Sequence, residues 1–351
     1  MKAEERTFQF CFTLDTEPDN LWEYRSTCSF ESFARLLSLH RRLTEAGARP
    51  TYLTTSEVAE SPLGRSAMQK CLEAGPCEIG AHYHTWTREW PFEIPNFRKS
   101  LVAAMAHQLP ERVEDAMLAH TCASIRQAFS IEPTSFRGGR WSLGSSTPQL
   151  LVRHGILVDS TMTPGLSWRD NSGGLTDGCD FRESPMMPHY LTAAGADVKG
   201  LLLELPVGTA PFPFFARHLY RNRAARMIAG GIGKRMGVKL GYQWLRPTDT
   251  SVENMRAVMT SLIRRRCSVW VFMIHSSEII PCKPLPSERH VAAMIERCEA
   301  GIRVATELGA KPATLTEAAL LLQREGVPEC TMSDISLKIH GVSSKKRQTN
   351  E

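Results

Sequence analysis

Along the chain, short apolar runs that alternate residue by residue give way repeatedly to longer stretches whose apolar positions follow the helical period. Residues 7–15 (TFQFCFTLD) read as a strand, because Phe8, Phe10, Phe12 and Leu14 alternate with smaller or polar side chains. Residues 29–46 read as a helix. Ser29 stands as its N-cap, Phe30, Phe33, Leu36, Leu37 and Leu43 form one apolar stripe, and Gly47 supplies the stop. The same reasoning predicts helices over 62–74, 110–129, 147–154, 251–266, 288–308 and 316–324, with Gly75 and Gly155 ending the first and third. Strands are expected at 51–53, 78–82, 135–137, 156–159, 201–206 and 269–275. The last two, LLLELP and VWVFMIH, are nearly continuous apolar runs of the kind buried on both faces. Strand–helix alternation argues for parallel strands with helical crossovers. About seven such units suit either a barrel or a doubly wound sheet.

No internal repeat or long linker divides the chain. One domain over residues 1–325 is expected, followed by a polar, basic tail at 326–351 read as mobile. A hydrophobic fraction of 42% is too apolar for a disordered chain. No apolar run is long enough to span a membrane. The opening MKAEERTFQF holds no apolar run of signal-peptide length, so a cytoplasmic location is expected. The ten cysteines form no CxxC pair, which predicts scattered reduced thiols rather than disulfides or a cysteine-based zinc site. The formal net charge of +5 demands no polyanionic partner. No nucleic-acid motif is present: Arg264–Arg266 ends a helix, where cations suit the dipole, and the KKR of the tail is short.

The chemistry gathers at strand ends. Asp15 and Glu17 close the first strand, and His82 and His84 close the 78–82 strand. Arg137 and Arg140 follow the next, and Asp159 closes the strand after it. Glu204 sits inside LLLELP, and His275 closes VWVFMIH. In parallel α/β folds, active sites form at the carboxyl ends of strands. Alternate residues of a strand share a face, so His82 and His84 could chelate one divalent ion, with Glu17 as a carboxylate third ligand. Taken one by one, each residue also has a plain structural reading: Asp15 as a turn former, the histidines as ordinary loop residues, Glu17 as a solvated carboxylate, and His275 as a satisfied core histidine.

Taken together, FTLDTEPD, EIGAHYHTW, FRGGRW, VDSTM, LELP and VFMIHSSE resemble, in order and spacing, the polysaccharide deacetylase family, the NodB-homology or carbohydrate esterase family 4 domain. The resemblance covers residues 7–320 and lies nearest the divergent WalW-like branch associated with lipopolysaccharide core genes. It implies a distorted (β/α)7 barrel and a metal-dependent deacetylase. It also implies that Asp15 is the catalytic base, that Arg137 orients it, that His275 is the catalytic acid, and that Asp159 supports the pocket by holding Arg137 or the histidine. Where the family has a second Asp the chain has Thr16, so Glu17 is the substitute ligand. Where the family has the second histidine of its motif the chain has Trp86, so His84 must supply the second imidazole. Glu17, His82 and His84 would thus hold one divalent transition metal, zinc foremost, with cobalt, nickel, iron or manganese as alternatives.

Arg140, Trp141, Trp86 and Glu204 are the candidate substrate contacts. Trp86, Trp90, Trp141 and Trp168 follow pocket motifs, where their rings either stack on sugar faces or fill the core. Residues 207–248 contain no acidic side chain but carry Arg217, Arg221, Arg223, Arg226, Lys234, Arg235, Lys239 and Arg246. This basic insertion suits either a solvated surface or contact with a membrane face or phosphate group. The expected substrate is therefore an N-acetylated amino sugar on a phosphate- or lipid-linked glycan intermediate of the cell envelope. Two other readings stay open: a metal-free carbohydrate-binding protein on the same barrel, and a metal-dependent amidohydrolase acting on a non-sugar amide.

Overall fold

The computed structural model describes residues 7–21, 27–85, 105–169, 178–191, 202–212 and 241–325. Seven parallel strands form its centre: β1 (Phe8–Thr16), β2 (Pro50–Thr54), β3 (Glu78–Tyr83), β4 (Ser135–Gly138), β5 (Val158–Asp159), β7 (Leu202–Glu204) and β10 (Val269–His275). Their order is β10-β1-β2-β3-β4-β5-β7. The two ends of this series meet just past β7, where Val207 pairs in parallel with Val271 and the Gly208 amide donates to the Val271 carbonyl at 2.9 Å. The sheet is thus curled into the distorted barrel that the resemblance implies. Antiparallel β6 (His189–Leu191) lies outside β7, and the short β11 (Ala310–Pro312) pairs with β1. A separate antiparallel pair, β8 (Thr209–Phe212) and β9 (Gly241–Trp244), lies near the two ends of the 207–248 insertion.

The described helices are α1 (Phe33–Glu45), α2 (Ser56–Glu60), α3 (Pro62–Ala74), α4 (Glu111–Phe129), α5 (Thr147–Arg153), α6 (Val252–Arg264), α7 (Glu288–Glu307) and α8 (Leu315–Glu325), and the first seven lie between strands. Alternation along each strand sorts the core into two layers. Phe10, Phe12, Leu14, Ile79, Phe136 and Phe272 face the helices in the main cluster. Cys11, Leu53, Val158, Leu203, Leu205 and Val271 form a second cluster with Leu315, Ala318, Ala319 and Leu322 of α8. Thr13 and Asp15 continue the Cys11 face of β1 toward its carboxyl end. Apolar residues therefore fill the lower part of the interior, and polar residues occupy the end where active sites form.

Most predicted elements are present within a residue or two. The helix predicted over 29–46 starts later, at Phe33, with Ser32 rather than Ser29 at the N-cap. Ser29 is engaged elsewhere: its carbonyl accepts from the Asp19 amide and its amide donates to Asn20 Oδ1. The short α2, β6, β8, β9 and β11 were not predicted, because runs this brief carry no measurable period. No disulfide joins the described cysteines. Among the described residues no helix is long and apolar enough to cross a membrane. The 326–351 tail and most of the basic insertion lie outside the described residues.

Strands β3 and β4 approach closely beneath the site. A Cβ on Gly80 would lie 2.2 Å from Ser135 Oγ and 2.8 Å from its carbonyl oxygen. Gly80→Ala should therefore force these strands apart and cost about 1–3 kcal/mol, read as a lowered midpoint in urea denaturation.

Candidate active site

The register of β1 on β10 places Asp15 directly beside His275. The register of β3 on β4 does the same for His82 and Arg137. Arg137 is fully buried and crosses the barrel interior to β1. Its Nη1 donates to Asp15 Oδ1 at 2.7 Å and to Thr13 Oγ1 at 2.9 Å. Its Nε donates to the Ser160 carbonyl at 2.7 Å, and Nη2 donates to Ser160 Oγ at 3.0 Å. Thr13 in turn donates to the Phe272 carbonyl at 2.6 Å, tying the group back to β10. Burial alone would raise the pKa of Asp15, but Arg137, followed by His82 and His275, outweighs it and holds the carboxyl below its ordinary range. The other oxygen, Oδ2, faces His275 Nε2 at 3.8 Å.

Glu17, His82 and His84 converge beside this pair. All three are buried, and one donor atom of each lies within 4.8 Å of the others. His84 Nε2 is 2.7 Å from Glu17 Oε2 and 3.0 Å from His82 Nε2, and the last atom is 3.6 Å from Glu17 Oε2. Donors around a tetrahedral ion with bonds of about 2.1 Å stand about 3.4 Å apart, so the set needs little adjustment to hold one. His82 Nδ1 lies 2.6 Å from the Arg137 carbonyl, which can only accept, so Nδ1 carries the proton and Nε2 is left as the donor atom. Glu17 Oε1 is buried without a hydrogen-bond partner among the described residues, an orphan that a cation would satisfy. Burial opposes its charge, but His84 and His82 outweigh that and hold the Glu17 pKa well below the usual carboxylate range.

Local sequence explains how the ligands reach one face. Thr16, between Asp15 and Glu17, turns its hydroxyl back to the Leu14 carbonyl at 3.1 Å. An Asp-x-Glu spacing therefore presents both carboxylates on the same side, as His-x-His does for the imidazoles. Ser276 clamps Glu17 by accepting from its amide and donating to its carbonyl, each at 3.0 Å. Gly139 matters in the same way: a Cβ there would lie 2.6 Å from His84 Nδ1 and 2.5 Å from the Tyr83 carbonyl. Arg140 and Trp141 follow with positive φ of 55° each, an uncommon left-handed pair that turns the chain sharply after β4. Trp141 then lies beside Arg137, whose guanidinium carbon is 5.4 Å from the ring centre. Its face stacks on Trp168 at 5.7 Å, and Trp244 stands 6.0 Å away as a third member.

Other predicted residues are placed differently. Asp159 and Glu204 are register neighbours on the opposite sheet face from Val158 and Leu203, so they project toward the helices rather than into the interior. Asp159 Oδ1 accepts from Thr161 at 2.5 Å, and Glu204 Oε1 accepts from the Met162 amide at 2.9 Å. Their remaining oxygens have no conventional donor. Burial, with Asp159 alongside, drives the Glu204 pKa well upward, and burial raises that of Asp159 as well. The expected grip of Asp159 on His275 is not seen among the described residues; Glu278 and Arg246 face that ring instead. Sequence reading passed over Glu278, Ser276, Thr13, Ser160, Gly139 and Trp244. The SSE after His275 was the one available signal. Trp86 and Trp90 lie outside the described residues.

No family model matches the chain, and no curated protein matches it. Solved structures do match. A protein from Mycobacterium smegmatis assigned as a polysaccharide deacetylase aligns over 94% of this chain and 95% of its own, with 16% identity and a TM-score of 0.53. The 4-alpha-glucanotransferase from Thermococcus litoralis aligns over 90% of this chain and 40% of its own, with 10% identity and a TM-score of 0.50. A family 4 carbohydrate esterase from Streptomyces lividans in complex with acetate aligns over 88% and 92%, with 12% identity and a TM-score of 0.42. At these identities the likeness is one of fold: the chain has the curled α/β barrel found in polysaccharide deacetylases.

Two variants test the ligand cluster. His82→Ala with His84→Ala should abolish uptake of a divalent transition ion, measured by elemental analysis and by titration calorimetry. Gly139→Ala should displace the His84 ring and weaken retention of the same ion at least tenfold, about 1.4 kcal/mol, while the far-ultraviolet circular dichroism stays unchanged. Retention equal to the parent protein would show that Gly139 does not set the His84 position.

Proposed function

We propose that the chain is a metal-dependent hydrolase that removes an N-acetyl group from an amino sugar. The observation that carries this reading is the convergence of Glu17, His82 and His84 beside the Asp15–Arg137 pair and His275. Two imidazoles and a carboxylate suit zinc, or cobalt, nickel, iron or manganese, better than magnesium or calcium. An ion held there would polarise the acetamide carbonyl and lower the pKa of water toward about 7.

The chain's own residues supply the proton traffic. Asp15 is ionised, is fixed by Arg137 through Oδ1, and keeps Oδ2 free to take a proton from the attacking water. His275 stands across from it. Burial disfavours its charge, but Glu278 outweighs that and holds its pKa above the ordinary imidazole value. The ring therefore keeps its second proton to higher pH than a free imidazole does, which suits it to protonate the departing amine. The role of Asp159 in this scheme is indirect, as part of the buried layer under Arg137. Trp141, with Trp168 and Trp244, forms an aromatic wall next to Arg137 that suits the apolar face of a sugar or its acetyl methyl. Arg140, Trp86 and Glu204 remain substrate-contact proposals, and Glu204 would act only from behind the sheet.

The substrate is proposed to carry phosphate close to the sugar, as glycan intermediates of the cell envelope do when linked to a nucleotide, a lipid or the lipopolysaccharide core. This finer reading rests on the motif resemblance to the WalW-like branch and on the acid-free 207–248 stretch. Arg246, near the end of that stretch, reaches the site, with Nη2 3.3 Å from His275 Nδ1. Arginine suits phosphate because its fork matches a pair of phosphate oxygens. A peripheral position at the inner membrane face belongs to the same proposal.

Three measurements test the reading. Asp15→Asn should keep the metal and lose most turnover, about 100-fold or more. Loss of metal instead would make Asp15 a ligand rather than the base. His275→Ala should also lower turnover with metal retained, and an unchanged rate would remove His275 from the mechanism. Neutralising Arg221, Arg223 and Arg226 together should raise KM for a phosphate-bearing N-acetylhexosamine more than for its uncharged analogue, and added salt should do the same. Equal effects on both substrates would count against phosphate recognition. An absence of metal, with none taken up on titration, would sink the hydrolase reading itself.

A further inference from the structure

Asp159 and Glu204 are register partners on adjacent parallel strands, and both are fully buried. Between them they carry four oxygens. Thr161 donates to Asp159 Oδ1 at 2.5 Å, and the Met162 amide donates to Glu204 Oε1 at 2.9 Å. Asp159 Oδ2 and Glu204 Oε2 are buried and have no other donor among the described residues. The two carboxyl groups hydrogen-bond to each other. Ionised carboxylates only accept, so this contact requires a proton on one of them. One proton between Oδ2 and Oε2 satisfies both remaining oxygens. With none, two buried oxygens are orphaned and two charges lie side by side.

The residues that serve this pair also carry the anchors of Arg137. The Ser160 carbonyl accepts from Arg137 Nε at 2.7 Å, and Ser160 Oγ accepts from Nη2 at 3.0 Å. Ser160 Oγ donates in turn to the Leu205 carbonyl at 2.7 Å, and the Leu205 amide donates to the Asp159 carbonyl at 2.8 Å. Thr161, while donating to Asp159, accepts from the Gly138 amide at 2.8 Å. Residues 160–162 are therefore gripped by the two acids on one side and grip Arg137 and Gly138 on the other. Resting on the part given to Arg137 in the proposed function, we infer that Asp159 and Glu204 share one proton and act together as positioning residues, holding residues 160–162 so that Arg137 keeps its line to Asp15. Loss of that proton would set two like charges on paired strands, part β5 from β7, and draw Ser160 away from the guanidinium.

The surroundings favour keeping the proton. Burial raises the pKa of both acids, and Asp159 adds to the rise of Glu204. Arg137 of β4 favours charge on each, but does not outweigh burial. Tyr83 of β3 lies within electrostatic reach of Asp159, and burial drives its own pKa well upward, so it stays neutral. His189 of β6 is the register partner of Glu204, but its Nδ1 lies 2.8 Å from the Met187 carbonyl, and burial lowers its pKa to about 4. Helix α5 packs against β7 with Leu150 and Leu151 buried, and α8 covers the opposite face of β5 and β7.

Infrared spectroscopy tests the shared proton. Near neutral pH the parent protein should show the carbonyl band of a buried carboxylic acid. The same band should vanish in Asp159→Asn and in Glu204→Gln alike, because each amide then donates to the carboxylate left beside it. No such band in the parent, or a band that survives in either variant, overturns the inference. The folded pair keeps its proton to higher pH than the unfolded acids, so stability should fall as pH rises above the ordinary carboxyl range of about 4. Urea denaturation across that range should show E204Q with a flatter slope than the parent, by about one proton per chain, and equal slopes overturn it. Glu204→Ala, which supplies neither donor nor acceptor, should lower kcat by about tenfold or more with KM and metal content within about twofold, and E204Q should recover most of that loss. Equal kcat in E204A and E204Q overturns the positioning role. Where E204A does not fold, the infrared bands and the E204Q slope decide. Neither needs turnover, so a chain that hydrolyses no amino-sugar amide would lose its proposed function without confounding these two tests.

Discussion

The buried contact between Arg137 and Asp15 is the constraint on which the rest of the site depends. Moving either charge out of water costs several kcal/mol, and the cost is recovered only if the geometry is good and the remaining donors are satisfied. Here Asp15 Oδ1 accepts one Arg137 hydrogen bond, and Thr13 and Ser160 accept three more. The pair joins β4 to β1 although β2 and β3 separate them in the sheet. Such a contact can form only if the sheet curls, so the ion pair and the barrel depend on each other. The same arginine holds His82 through its backbone carbonyl. One residue thus positions a proposed base with its side chain and a proposed metal ligand with its main chain.

The two sheet faces divide the labour. Toward the interior, Cys11, Leu53, Val158, Leu203 and Val271 pack against α8, and above them Thr13, Asp15, His82 and Arg137 carry the polar chemistry. Toward the helices, the main apolar cluster surrounds a small polar island made by Asp159 and Glu204. Burial raises the pKa of both acids, which favours protonation there over two adjacent buried charges. Its distance from the reacting groups follows from strand alternation alone: Asp159 shares its register with outward-facing Phe136, not with inward-facing Arg137.

Around His275 the chain uses a local device. The acid that faces Nδ1 comes from three residues downstream, within a single turn, and its counter-ion comes from the segment after β9. The basic insertion and the acid group of the site are thereby connected through Arg246. A change in that insertion has a direct physical route to His275, because Arg246 and Glu278 compete for the same ring nitrogen.

Much of this was legible in the sequence. Strand–helix alternation determines the parallel α/β class, since each apolar run must be covered and each crossover must return the chain to the same end. Placement of Asp15, Glu17, His82, His84, Arg137 and His275 at strand ends follows from local pattern, and Asp-x-Glu and His-x-His spacing puts each pair on one face. Register and curl were not legible. Whether Asp15 lies beside His275, or Arg137 reaches across to β1, depends on pairings between residues more than a hundred positions apart, which no local period encodes. The same limit hid the outward direction of Asp159 and Glu204. Their strands are too short for alternation to be read, and only their partners' register shows which side they occupy. Glu278 follows the end of β10 with no local period to show where it points. Only the 3-10 turn, closed by its own carboxylate on the His275 amide, turns it back toward the ring.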